Sequence, residues 1–250
     1  MQTPFVKLDV ENSIGTITFY TPDHNALPGA SLNELAATIS KAGNTEHIKV
    51  LILKSGGERT FCAGASFKEL IAINDAEAGK SFFMGFAKVI LAMRACPLLI
   101  ICRVQGKTVG GGVGIAAAAD YCMATKFASV KLSELTIGIG PFVIEPVLTR
   151  KMGISVSSQM TINATEFYSA EWAKSKGLYA EVFESADLMD DKILQLASDL
   201  ASYNPEALTE AKKMFWKNTD DWPYLLENRA AQSGKLVLSD FTKEKLKAYS

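Results

Sequence analysis

Four glycines fall within five positions, at Gly110, Gly111, Gly112 and Gly114, where a strand-like run hands over to a helix of small residues. Glycine costs a helix interior about 1 kcal/mol relative to alanine. Four in one turn therefore imply that the backbone comes very close to something, either a ligand or a packed neighbour. A second segment uses the same device: Thr60-Phe61-Cys62-Ala63-Gly64-Ala65 runs into a helix start at Ser66. The first turn of any helix carries unpaired N–H donors and the positive end of the helix dipole, and small residues let an oxygen approach them. Taken alone, each segment also reads as packing: a tight turn capped by Ser66, and a helix pressed hard against a sheet.

Gly112-x-Gly114-x-x-Ala117 is formally a dinucleotide fingerprint, with Glu134 downstream. That fold would put its acidic residue at the end of the next strand. The strand expected there, Tyr121 to Ala124, instead runs into Thr125-Lys126-Phe127. The fingerprint fails in its context.

The surrounding chain has material for a large core, with 250 residues of which 48% are hydrophobic. Its net charge of -1 is made of scattered signs, which argues against nucleic-acid or membrane-surface partners. Met1-Gln2-Thr3-Pro4 shows no basic segment leading into an apolar run, so a cytoplasmic protein is expected. The most apolar tract, Leu98 to Ala119, is interrupted by charge and glycine and reads as buried core rather than a bilayer span. Cys62, Cys96, Cys102 and Cys122 lack CxxC spacing and only His24 and His47 could assist them, so no metal site is expected.

Alternation predicts a hairpin of Val6–Val10 and Ile14–Tyr20, and then a helix capped by Ser31 and running to Lys41. Strands are predicted at 50–53, 98–104, 121–124 and 180–183, and another at 129–132. Helices are predicted from Ser66, over 76–94 and over 110–119. Beyond Phe142 helical patterns dominate, including 170–176, 187–201, 205–216 and 224–238. The fold class is therefore α/β: a core with strands and helices in spiral order over residues 1–185, followed by a helical C-terminal segment over 186–250.

One carboxylate stands among apolar and small residues in Val130-Lys131-Leu132-Ser133-Glu134-Leu135-Thr136-Ile137-Gly138. Desolvation would raise the pKa of Glu134, and a carboxyl partly protonated near neutral pH can both take and return a proton. A helix-terminal or salt-bridged surface residue is the equally weighted alternative from this segment alone. Glu145 reads as an additional acid or as a surface residue, and the surface reading is the commoner one. No GxSxG elbow is present, and neither histidine pairs obviously with Ser66 or Cys62.

Together, His24-Asn25-Ala26-Leu27, Phe61 to Leu70, Gly106 to Asp120 and the Glu134/Gly138 pair resemble the signatures of the crotonase superfamily, and the likeness extends over nearly the whole chain. That resemblance implies a crotonase-like ββα spiral and an acyl-CoA substrate. No separate cofactor is implied, because coenzyme A is part of the substrate. It also implies a homotrimer, or a dimer of trimers, assembled through the C-terminal helices. By the same resemblance Ala65 and Gly111 supply oxyanion-hole N–H groups and Glu134 is catalytic. Ala26, Ala65, Ser66, Phe67, Lys68, Gly110, Gly111, Gly114 and Pro141 are then expected to contact the substrate or its coenzyme A.

Three departures bear on the reaction. Gly114 stands where two-glutamate hydratases carry their first glutamate, Ser66 replaces the usual aspartate, and Phe142 to Pro146 replaces a glycine-rich run. The GGGVG stretch with an SEL-type glutamate is similar to bacterial methylglutaconyl-CoA hydratase relatives. An enoyl-CoA hydratase acting on a branched substrate, such as 3-methylglutaconyl-CoA, is therefore the first expectation, with Gly114 leaving room for the branch and a backbone carbonyl near it holding water. A double-bond isomerase with Glu134 as sole proton shuttle is the second. A non-catalytic acyl-CoA-binding protein is the alternative of another class.

Overall fold

The computed structural model describes residues 3–249. Met1, Gln2 and Ser250, which the sequence reading places in the opening tetrapeptide and the C-terminal segment, lie outside the described residues. The chain opens with β1 (Phe5–Glu11), β2 (Ile14–Tyr20), α1 (Gly29–Gly43), β3 (Val50–Ser55), β4 (Thr60–Cys62) and α2 (Phe67–Ile71). It continues through α3 (Ala76–Ala95), β5 (Leu99–Val104), β6 (Lys107–Val109), α4 (Gly111–Ala118), β7 (Tyr121–Thr125) and β8 (Val130–Lys131). A 3-10 turn (Glu134–Ile137) precedes α5 (Glu145–Met152), α6 (Ile154–Ile162), α7 (Ala170–Ser175) and β9 (Glu181–Phe183). Last come α8 (Ala186–Ser202), α9 (Pro205–Phe215), α10 (Trp222–Leu236) and α11 (Asp240–Leu246).

The strands form two sheets. The larger has the order β1-β2-β3-β5-β7-β9, antiparallel only at the β1/β2 hairpin, and the smaller has the parallel order β4-β6-β8. From β3 to β8 each of three passes lays a strand in one sheet, a short strand in the other and then one or more helical turns, which is the expected spiral. The near-continuous apolar runs of β3 and β5 suit strands buried on both faces. On one face they meet α1, α3 and α4, and on the other Met189, Ile193 and Ala197 of α8.

The helix containing Ser31 begins earlier than expected, with Pro28 in the capping position and Leu32 N–H donating to the Pro28 carbonyl at 3.0 Å. Ser31 is buried inside the helix instead of capping it. α10 likewise starts at Trp222, where Pro223 suits a first turn. In the smaller sheet only β8 falls on an expected strand, that at 129–132; β4, β6, α5, α6 and α11 were not resolved as separate elements by periodicity, because such short strands and helices give it too little to register.

α10 crosses α3 at a glycine pair. A Cβ added to Gly79 would sit 2.7 Å from the Gly234 Cα, so any larger residue at either position would force the helices apart.

Candidate active site

Gly110 holds φ 53° and ψ -121°, a backbone region that only glycine adopts easily, and its N–H donates to the Lys131 carbonyl at 2.9 Å. This bend aims the first turn of α4 away from β6. The Gly111 N–H lies too early in the helix for an intrahelical acceptor, and it donates to no other group among the described residues.

Ala65 reaches the same state by another route. Leu27 forms a bridge with it: the Leu27 N–H donates to the Gly64 carbonyl at 2.8 Å, and the Ser66 N–H donates to the Leu27 carbonyl at 3.1 Å. Both neighbours are thereby engaged, while the Ala65 N–H finds no acceptor among the described residues. The two loops touch, since a Cβ on Gly64 would lie 3.1 Å from the Val109 carbonyl oxygen and 3.9 Å from the Gly111 nitrogen.

Glu134 starts the 3-10 turn, and the turn is closed by Gly138 in the left-handed region. Its Oε1 lies against Gly110, where a Cβ would approach it to 2.8 Å. Its Oε2 is buried and has no hydrogen-bond partner. Burial pushes the Glu134 carboxyl up from its usual value near 4.5 to about 7, and the backbone N–H groups of Glu134 and Ser133 pull it only partly back.

Ala65, Gly110, Gly111 and Glu134 line one cavity of about 640 Å³, part of it open to solvent at the mouth. Phe67 and Pro141 line it as well. Two unclaimed N–H groups beside a carboxyl that titrates near neutrality can stabilise a developing negative oxygen while a proton is moved at a neighbouring carbon.

Ser66, Lys68 and Ala26 do not line this cavity. Ser66 caps α2 by accepting from the Glu69 N–H at 3.4 Å, and Lys68 is exposed on that helix. The Ala26 carbonyl accepts from the Thr21 hydroxyl at 2.7 Å, so Ala26 belongs to the scaffold. Its neighbour Asn25 is the hub of that scaffold, donating through Nδ2 to the Gly56 and Thr60 carbonyls. Glu145 accepts from the Thr149 hydroxyl at 2.6 Å and faces Arg229 at 3.8 Å, which is the behaviour of its surface reading.

Gly114 corrects an expectation. It does not line the cavity and leaves no room for a substrate branch: a Cβ there would stand 2.4 Å from Ile144 Cγ2 and 2.7 Å from Ile144 Cβ. Ile144 itself is a cavity wall, as is Phe86, whose ring would meet a Cβ on Gly111 at 2.3 Å. The replacement of the glycine-rich run by Phe142 to Pro146 was the sequence signal for Ile144, although its partner could not be read from it. Ser233 also lines the cavity, entering on α10 from beyond residue 185. Nothing local in the sequence marked it.

Comparison with known proteins gives a consistent result. The sequence model of the enoyl-CoA hydratase/isomerase family matches residues 9–248. The short-chain-enoyl-CoA hydratase of Clostridium acetobutylicum is 29% identical over 215 residues, covering 85% of this chain and 81% of that one. The peroxisomal Delta(3,5)-Delta(2,4)-dienoyl-CoA isomerase of Arabidopsis thaliana is 25% identical over 231 residues, covering 86% and 81%. The crystal structure of an enoyl-CoA hydratase from Bacillus halodurans superposes with a TM-score of 0.89 at 19% identity, covering 97% of this chain and 99% of that one, a likeness that speaks for the fold.

Proposed function

This chain belongs to the enoyl-CoA hydratase/isomerase family, and on that premise we propose that it shifts the double bond of an enoyl-CoA thioester with Glu134 as its single proton carrier. In this reading the thioester oxygen lies between the Ala65 and Gly111 N–H groups. The Glu134 carboxylate takes a proton from C2 of a 3-enoyl thioester, the electron pair delocalises onto the thioester oxygen as a dienolate, and the same carboxyl returns the proton to C4. Each N–H contributes about 3 kcal/mol to holding the dienolate. A carboxyl with a pKa of about 7 populates both of the forms that the cycle uses.

The observation that carries this order of preference is Ile144 over Gly114. Addition of water needs a group that holds the water opposite the acid. In that place the chain presents an isoleucine, and no second carboxylate lines the cavity among the described residues. Proton transfer within the substrate needs no such partner.

Hydration of a conjugated enoyl-CoA, including a branched one such as 3-methylglutaconyl-CoA, is the second reading. It is favoured by Ser133, which lines the cavity next to Glu134, and by the hydratase relatives. Absorbance assays with a 3-enoyl-CoA, crotonyl-CoA and 3-methylglutaconyl-CoA in parallel separate the two. Conversion of the first without hydration of the others is expected, and hydration as the dominant reaction reverses the order. Binding of all three with no turnover would leave only the non-catalytic alternative. We further propose a cytoplasmic homotrimer or pair of trimers joined through the C-terminal helices, which sedimentation analysis of the purified protein tests.

A further inference from the structure

Among the cavity walls, Ser233 has no part in the proton transfer, and its chemistry is unspent. It is 1% exposed, and its hydroxyl has no hydrogen-bond partner. A serine inside a helix ordinarily returns its hydroxyl to the carbonyl one turn earlier, here that of Arg229, but no such bond forms. The Gly79/Gly234 crossing fixes its position by drawing α10 against α3, the helix that supplies Phe82, Phe83 and Phe86 to the same cavity. The Phe82 and Phe83 rings meet edge to face at 5.1 Å. A lone hydroxyl thus stands in an aromatic wall, where leaving it unpaired is unfavourable.

We infer that the Ser233 hydroxyl hydrogen-bonds a neutral oxygen, carbonyl or hydroxyl, carried on the acyl tail of the substrate, and so selects oxygen-bearing over purely hydrocarbon acyl-CoA thioesters. The inference rests on the reading of this cavity as the acyl-CoA site. A neutral oxygen fits better than a carboxylate. A buried anion needs a cation beside it, and the guanidinium one turn earlier, Arg229, faces Glu145 at 3.8 Å and does not line the cavity. Ser233 is on this account a specificity residue that touches the tail and takes no part in the proton transfer.

The test is calorimetric binding of saturated, unreactive thioesters to the whole protein. Butanoyl-, hexanoyl- and octanoyl-CoA are compared with counterparts bearing one keto group walked along the chain, and with adipoyl-CoA. The wild type is expected to bind one keto position about tenfold tighter than the matching hydrocarbon, as one buried hydrogen bond allows. Ser233→Ala is expected to remove that preference, so that keto and hydrocarbon tails of the same length bind alike in the variant. Hydrocarbon tails binding as well as every keto tail overturns the inference, as does a preference that survives in Ser233→Ala or tightest binding of adipoyl-CoA. The wild-type ranking decides the matter even if the variant does not fold. Because these ligands do not react, the result is independent of whether the enzyme isomerises or hydrates, whereas failure to bind any acyl-CoA would overturn the site reading itself.

Discussion

Asp120 and Glu134 follow the same glycine-rich helix and both are withdrawn from water, yet their surroundings are opposite. Asp120 is saturated with partners: Lys212 Nζ lies 2.9 Å from Oδ2, the Ile100 N–H donates to that oxygen at 2.8 Å, and the Trp216 indole N–H donates to Oδ1 at 3.2 Å. Lys212 is itself closed off, donating to the Leu98 carbonyl at 2.7 Å. Glu134 keeps one buried oxygen unpaired and rests the other against a glycine. A buried charge with all its bonds made ties β5 to α9, whereas a buried carboxyl with an open oxygen is available for a proton. Saturation, rather than burial, separates the structural acid from the one proposed to carry the proton.

Replacing each acid gives the sharpest contrast. Glu134→Gln is expected to lower turnover by about a thousandfold or more, with acyl-CoA affinity within a few-fold, measured by steady-state kinetics beside calorimetry. Asp120→Asn should do the reverse: about 3–5 kcal/mol of stability lost in urea unfolding, because Lys212 is left buried and unpaired, with turnover per folded molecule retained. Converting the pair together, Asp120→Leu with Lys212→Met, should recover most of that loss. If Asp120→Asn instead abolished turnover at unchanged stability, the distinction between the two acids would collapse.

Smaller effects sharpen the contrast. Gly114→Ala places a methyl against Ile144 and should cost about 1–3 kcal/mol by thermal unfolding, relieved when Ile144→Ala is added. The pH profile of kcat/KM should fall about tenfold per unit below about pH 7, as Glu134 protonates. The stability consequence runs the opposite way. With the folded pKa raised, the unfolded chain ionises first, so the contribution of Glu134 to stability is greatest below the usual carboxylate range and is lost as pH rises through about 7. Glu134→Gln should flatten both profiles, and a surviving slope in that variant would assign the titration to another group.

What the sequence made legible follows from the reach of each interaction. The two loop-to-helix starts at Ala65 and Gly111 were readable because unpaired N–H groups are a property of a few neighbouring residues, and Glu134 was readable because its apolar setting is local. Gly114 was misjudged because its meaning depends on Ile144, a contact across separate elements, and a glycine looks like free space until its neighbour is known. Ser66, Lys68 and Ala26 sit in the right motifs but outside the cavity walls, with Ser66 capping α2 and the Ala26 carbonyl accepting from Thr21. Ser233 lay beyond any motif, and the glycines at 79 and 234 each look like an ordinary weak spot in a helix until the two are seen to touch.

The late arrival of two cavity-closing parts has a consequence for how the protein is made. Ser233 comes from α10, and Gly138, which closes the turn bearing Glu134, is covered by Phe241 and Thr242 of α11, where a Cβ would lie 2.5 Å from each. At a synthesis rate of about 5–20 residues per second, the stretch between Glu134 and Ser233 occupies the ribosome for roughly five to twenty seconds. Through that interval Phe82 and Phe83 face water without α10 over them. The nascent chain therefore presents a greasy, unfinished acyl pocket to any passing chaperone before it can hold a thioester.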